Sequence, residues 1–186
     1  MPVDWFALKV RSRSESIAEV ALRRQSYETF LPTYTEGRRY ADRIKKIQAA
    51  LFPGYLFCRF DPNHRLPILK TFGVIEVLSL GGTPAPVAES ELTSLKRIAS
   101  SDQSTKPWPY VKVGDVARIE FGALAGLEGV LIAEKGSNLL VLSVSLLQRS
   151  VALQIDSSWV RPVRMLARSG HSNQASKNSF GRAIAL

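Results

Sequence analysis

Side chains able to make or break bonds are sparse in this chain of 186 residues. There are two histidines, His64 and His171, and one cysteine, Cys58. No G-x-S-x-G, paired-carboxylate, H-E-x-x-H or phosphate-loop pattern is present, and "GGTP" (residues 81–84) lacks the lysine that a phosphate cradle needs. One cysteine excludes an intrachain disulfide and any multi-cysteine metal site, and Cys58 inside an apolar strand reads as a buried thiol. These observations imply a protein that is not an enzyme and carries no cofactor and no metal. The chemistry its residue types do offer is recognition, by aromatic rings and guanidinium groups.

The aromatic part is concentrated in "LFPGYLFCRF", residues 51–60. Strand periodicity puts Tyr55 and Phe57 on one face and Leu56, Cys58 and Phe60 on the other. A core strand accounts for Leu56, Cys58 and Phe60 and explains aromatics on both faces less readily; each ring is either domain core or part of a contact surface. The segment before it, "EGRRYADRIKKIQAA", brings Arg38, Arg39, Arg43, Lys45 and Lys46 close together. The whole chain carries a net charge of +9, with an excess of five basic residues in 1–101, one in 102–164 and three in the last 22. A basic first half of this kind fits a polyanion, nucleic acid first of all, with affinity gained by counterion release.

The elements that must position these residues follow from periodicity and breakers. "DWFALKV" reads as a strand and "SRSESIAEVALRRQSY" as a helix, with Ile17, Val20, Ala21, Arg24 and Tyr27 at helical spacing. Ser14 is its expected N-cap, and Ser16 with Glu19 offers an alternative capping box. "TFLPTYTE" is extended, the basic segment is a long hairpin and "FPGYLFCRF" its return strand. "DPNHRLPILKTFG" reads as a short helix stopped by glycine, "VIEVLSL" as a strand, "GGTPAP" as a turn, and "AESELTSLKRIAS" as a helix with Leu92, Leu95 and Ile98 on one side. This order predicts an α+β sandwich close to the ferredoxin-like plan over 1–101.

Prolines and polar residues in "SDQSTKPWPY" predict a linker over 102–110. Beyond it "DVARIEF", "GVLIAEK", "LLVLSVSL", "SVALQID" and "WVRPV" are five short strands, the pattern of a small β-barrel over 111–164. The alternation "VLSVS" favours strand over helix there. Residues 165–186 are rich in Ser, Asn and Gly and read as a disordered tail. No apolar run suits a signal peptide or a membrane span, so the expected setting is cytoplasmic, without membrane contact and, for want of a coiled-coil repeat, monomeric.

Within the second part, "VGDVARIEFGALAGLEGVLIA" places Gly114 and Asp115 at a turn into a strand, then Gly122, Gly126 and Gly129 where positive φ is cheap. This spacing resembles a KOW motif, although Ala123 stands where that motif often has proline. With W-F-x-L near the start, "LFPGYLFCRFDP" and "PAPV" before a helix, residues 4–164 resemble the NusG family of transcription elongation factors. They look most like its specialised RfaH-type paralogues, which also continue this strand into Phe-Asp-Pro.

The resemblance implies an N-terminal domain (1–101) that docks on the β′ clamp helices of RNA polymerase, followed by an SH3-like KOW barrel. Tyr55 and Phe57 match the family's docking aromatics, with Phe6, Phe52 and Pro53 extending or supporting them. His64 and Arg65 occupy the place of a polar motif that contacts the β-subunit gate loop. Arg11 and Arg24 match positions that touch the non-template DNA strand, with Arg13 and Arg23 beside them. Ala21 stands where those proteins can carry histidine. The implied function is bacterial transcription elongation and antitermination, by bridging the polymerase cleft and disfavouring pausing and termination. The barrel would recruit a small-subunit ribosomal protein of NusE type or the terminator Rho. Two alternatives are a housekeeping NusG coupled to Rho, and a KOW-type RNA-binding or ribosome-associated module without polymerase contact.

Overall fold

A computed structural model of the protein describes residues 3–39, 44–101, 103–110, 114–134 and 137–164. The expected tail, 165–186, lies outside the described residues. In chain order the first half runs β1 (Asp4–Val10), α1 (Glu15–Arg24), β2 (Glu28–Phe30), β3 (Thr33–Arg39), β4 (Ile44–Ala50), β5 (Tyr55–Phe60), α2 (Leu66–Leu69), β6 (Val74–Val77), β7 (Ser79–Leu80), β8 (Thr83–Pro84) and α3 (Glu89–Ala99). The second half runs β9 (Thr105–Trp108), β10 (Val116–Ile119), β11 (Glu128–Glu134), β12 (Ser137–Val144), β13 (Arg149–Ile155) and β14 (Val160–Arg164).

Strands β2, β5, β1 and β6 make one antiparallel sheet in the order β2-β5-β1-β6, with α1 and α2 as its crossovers. That is the ferredoxin-like arrangement, and the α+β class expected from the sequence holds. Alternation along the strands sorts the side chains onto two apolar faces. Phe6, Leu8, Val10, Leu56, Cys58 and Phe60 pack under Ala18 and Leu22 of α1 and Ile68 of α2. Trp5, Ala7 and Phe57 face the other way, against Leu92 and Leu95 of α3.

The first helix turns a different side inward from the one the spacing suggests. Glu15, Ala18 and Leu22 are buried, whereas Ile17 and Val20 are about half exposed, at 54% and 48%. The reason is close approach. A Cβ on Gly73 would lie 3.3 Å from the Ser14 Cβ and 3.4 Å from that of Ala18, so only small residues fit along this seam. Ser14 is the N-cap, as expected, but its side chain makes no capping hydrogen bond.

The basic segment forms the expected hairpin, a separate two-stranded sheet in which Arg39 pairs with Ile44. A second, tight hairpin joins β7 to β8 through Gly81 and Gly82.

The second half departs from expectation at the segment read as a linker. All five expected strands form, but they belong to a six-stranded antiparallel sheet ordered β14-β10-β11-β12-β13-β9. The extra strand, β9, comes from the segment read as a linker and pairs with β13, Pro107 opposite Val151. A proline is tolerated because β9 is an edge strand and its missing N–H leaves no ladder bond unmade.

Helix α3 joins the two halves. Leu92 and Leu95 are buried on the first sheet, while Ile98 packs with Ala117, Ile119, Leu140 and Leu153 of the second. Arg97 donates to the carbonyl oxygens of Ala123 (2.9 Å) and Ala125 (2.7 Å), and the backbone N–H of Ser145 donates to Glu91 at 3.2 Å. The halves are in contact rather than merely tethered.

The inward face of α1 can be tested by paired truncations. Leu22→Ala removes a fully buried side chain and should cost about 2–5 kcal/mol in denaturant unfolding. Ile17→Ala should stay within about 0.5 kcal/mol of the parent. Equal effects would restore the helix face suggested by spacing.

Candidate functional site

The turn that enters β5 is fixed from three sides. Gly54 has φ +84, a backbone region that a side chain strains. Its N–H donates to a carboxylate oxygen of Glu15 at 2.8 Å, and its carbonyl oxygen accepts from the Val10 N–H, also at 2.8 Å. Pro53 is exposed, and Glu15 is only 9% exposed, its buried carboxylate spent on this one turn. The Pro-Gly step thus sets where Tyr55 begins the strand, in register with Lys9 of β1.

From that start β5 presents Tyr55 and Phe57 to a wider aromatic cluster. Phe57 lies between Phe30, with centroids 6.0 Å apart and nearly parallel, and Phe52, at 6.1 Å edge-on. Trp5, Tyr34 and Tyr55 complete the cluster. The Lys96 ammonium sits 4.2 Å from the centre of the Trp5 ring, a cation–π contact at the rim. Phe30 and Tyr34 are not singled out by the sequence, and Trp5 enters there only through the W-F-x-L pattern. Their signal was register, since Phe30 pairs directly with Phe57 across β2 and β5. Register cannot be read before the strands are paired.

This face is not open. Phe57 is fully buried and Phe52 is 1% exposed, with Tyr55 half-buried beside them. Part of the cover is α3; the rest comes from the second sheet, where Val144, Leu147 and Val151 are buried in the same cluster and Leu146 packs on it. These residues lie at the β12–β13 turn, where Gln148 has φ +50. Phe6 is elsewhere. It is 2% exposed on the opposite face, with its ring 4.8 Å from that of Phe60, and so does not extend the Tyr55/Phe57 cluster.

The basic residues divide by whether they have partners. Arg23 is engaged, donating to Glu19 (2.8 Å) and Thr29 (2.8 Å). Arg11, Arg13 and Arg24 are exposed and make no ion pair among the described residues. On the hairpin Lys45 and Lys46 are exposed, and Lys45 stands opposite Arg38 in the backbone ladder. The side chains of Arg38 and Arg39, and the whole of Arg43, lie outside the described residues. His64 and Arg65 are exposed at the start of α2; His64 contacts Asp61 at 3.1 Å. The Asn63 N–H, donating to Asp61, holds that carboxyl below its ordinary range, with His64 contributing.

In the glycine loop Gly122 (φ +79) and Gly126 (φ +84) adopt the expected positive φ, whereas Gly129 does not. Gly129 lies in β11, where a Cβ would stand 2.7 Å from the Val141 carbonyl oxygen; strand proximity, not backbone conformation, requires glycine there. Gly114 packs against Val130, and Asp115 accepts a hydrogen bond from the Leu131 N–H through its carbonyl oxygen. The loop between Gly122 and Gly126 is the one whose carbonyls Arg97 holds.

Comparison with known proteins gives a consistent picture. Residues 3–96 match the family described as transcription termination factor NusG. The chain is 23% identical over 177 residues to the transcription termination/antitermination protein NusG of Helicobacter pylori strain J99, covering 87% of this chain and 99% of that one. It is 26% identical over 139 residues to the protein of the same description from Vibrio vulnificus, covering 72% and 76%. Among solved structures, "Domain interaction in Thermotoga maritima NusG" aligns with a TM-score of 0.57 at 20% identity, covering 88% of this chain and 99% of that one.

The placement of β5 makes a chemical prediction. Burial pushes the Cys58 thiol up to about 12, so it should not react with a thiol-exchange reagent at pH 8 in the folded protein. One thiol per chain should appear on unfolding in denaturant. Rapid reaction of the native protein would show that the α1 face of the sheet is open.

Proposed function

The chain belongs to the NusG family of transcription factors, and on that premise we propose that it is an elongation and antitermination factor that docks on the β′ clamp helices of RNA polymerase through the Tyr55/Phe57 face. The observation that carries this reading is the composition of that face's cover. An aromatic cluster of Trp5, Phe30, Tyr34, Phe52, Tyr55 and Phe57 on one side of the sheet is closed partly by the turn Leu146–Leu147 of the other half of the chain. An apolar surface sealed by a neighbouring module can be unsealed without unfolding the sheet that bears it. Rigid aromatics of this kind supply large contact area at small cost in rotamer freedom, which makes them interface anchors.

Docking in this reading requires the second sheet to leave. The affinity observed for polymerase is then the intrinsic affinity multiplied by the fraction of molecules that are open. The bound factor acts mechanically. Spanning the cleft, it stabilises the closed clamp over the open one by the difference in its affinity for the two, and pausing and termination are disfavoured by no more than that difference. No bond is made or broken.

The remaining surfaces take subsidiary roles. Arg11, Arg13 and Arg24 lie free to meet the phosphates and bases of the non-template strand. Arg23, bound to Glu19, serves the fold more than the ligand. The hairpin, with Arg38, Arg39, Arg43, Lys45 and Lys46, runs along nucleic acid, and His64 with Arg65 meets the gate loop of the β subunit. Once the second sheet is released, its glycine loop is freed from Arg97 and available to a ribosomal protein of NusE type or to Rho.

The test is binding to core RNA polymerase, with circular dichroism as the folding control. Tyr55→Ala should weaken binding about tenfold or more. Leu147→Glu places a charge against the aromatic cluster, favours the open form and should tighten binding by up to the inverse of the open fraction. A folded Tyr55→Ala variant that binds polymerase like the parent would overturn the reading.

A further inference from the structure

Phe72 is an exposed phenylalanine that neither apolar core uses. It lies between α2 and β6 and is 63% exposed. Its neighbours in sequence pin its position. The Thr71 hydroxyl accepts a hydrogen bond from Gln25 at 2.9 Å, just past the end of α1. Gly73 has φ +88, accepts from the Arg11 N–H at 2.8 Å, and sits against Ser14 and Ala18. Phe72 is therefore held beside the junction of Arg11 and α1, on a backbone tied at both flanks, with its ring left in solvent.

The surroundings say what such a ring would meet. Arg11 and Arg13 flank the start of α1, Arg24 ends it and Lys70 precedes Phe72 by two residues; all are exposed and unpaired among the described residues. The nearby acids are committed: Glu19 to Arg23, Glu76 to Lys9 and Glu15 to the Gly54 N–H. Uncompensated cations on the elements to which the Phe72 backbone is tied match an anionic ligand with a flat apolar face. A nucleotide of a single strand is such a ligand, its phosphate meeting guanidinium groups and its base the ring. Inside a duplex the base face is already stacked, so the ring favours an unpaired base.

We propose that Phe72 is a stacking platform for an unpaired nucleobase, and that with Arg11, Arg13 and Arg24 it forms a single-strand-binding surface on the α1–β6 side of the protein. This rests on the non-template-strand reading above and adds to it a residue that selects unpaired over paired DNA. The ring has no hydrogen-bonding group, so it tolerates any base and rewards stacking area, purines over pyrimidines.

The experiment is equilibrium binding of the full chain to a fluorescently labelled twelve-residue single-stranded DNA at low salt. It compares an adenine-rich strand, the same strand with abasic sites at its centre, and the matching duplex. Phe72→Ala should weaken binding to the adenine-rich strand by about fivefold or more, Phe72→Trp should retain it, and the abasic strand should bind the parent as weakly as the intact strand binds Phe72→Ala. Because the ring is exposed, the variants should melt with the parent. If Arg11→Ala with Arg24→Ala weakens binding but Phe72→Ala does not, the surface holds phosphates alone; the stacking role is then wrong while the non-template reading stands. If the parent binds neither strand nor duplex, or neither set of substitutions matters, both fall, and Phe72 belongs instead to a contact with protein.

Discussion

A four-stranded antiparallel sheet has two faces, and here both are apolar, so both must be covered. On one side the fold supplies its own cover. Helices α1 and α2 close over Phe6, Leu8, Leu56 and Cys58, with Ala18 and Gly73 allowing close approach. On the other side one helix is not enough. Leu92 and Leu95 of α3 reach part of the aromatic cluster, and the β12–β13 turn fills what remains. Burial of a side chain such as Leu147 is worth about 1.5–3 kcal/mol, which the turn contributes to the contact between the two halves. The contact between halves, the occupied glycine loop and the shielding of Tyr55 and Phe57 all follow from that unfinished face.

The polar contacts across the boundary are few and specific. Arg97 reads two loop carbonyls and Glu91 one backbone N–H, and none depends on the identity of a partner side chain. Such bonds fix orientation while the apolar cluster supplies the driving force. Helix α3 therefore serves both halves with one amphipathic stripe, Leu92 and Leu95 toward the first sheet and Ile98 toward the second. The aromatic face of the first sheet is thereby the surface on which the second sheet is seated.

Charge is arranged on a different side from the aromatic cluster. Arg11, Arg13 and Arg24 near α1 make no ion pair among the described residues, while acids close by are bound to Arg23, Lys9 or the Gly54 N–H. The Lys9 ammonium is held above its ordinary pKa by its hydrogen bond to Glu76, so that pair stays charged and local. What is left exposed is net positive and close to an exposed ring. The aromatic cluster and the exposed cations are thereby separated in space, the one on the α3 side of the sheet and the other, with Phe72, on the α1 side.

The amino-acid sequence by itself determined the two-part plan, the ferredoxin-like order, the alternation that puts Tyr55 and Phe57 opposite Leu56 and Cys58, the basic hairpin and the family. All but the family are matters of periodicity, breakers and spacing along the chain; the family is a resemblance, carried by the stretch "LFPGYLFCRFDP" and the glycine loop. It did not reveal that Ile17 and Val20 face solvent, because which stripe of a helix is buried depends on how closely its partner approaches, here at Gly73. It did not reveal that Pro107 lies in an edge strand, that Gly129 is required by the Val141 carbonyl, or that Phe6 lies apart from Phe57. Nor did it show that the turn of the second sheet covers the aromatic face. Those outcomes were decided by tertiary structure alone, because register, helix rotation and domain contact are settled by which distant surfaces exclude water together, and no local window contains both partners.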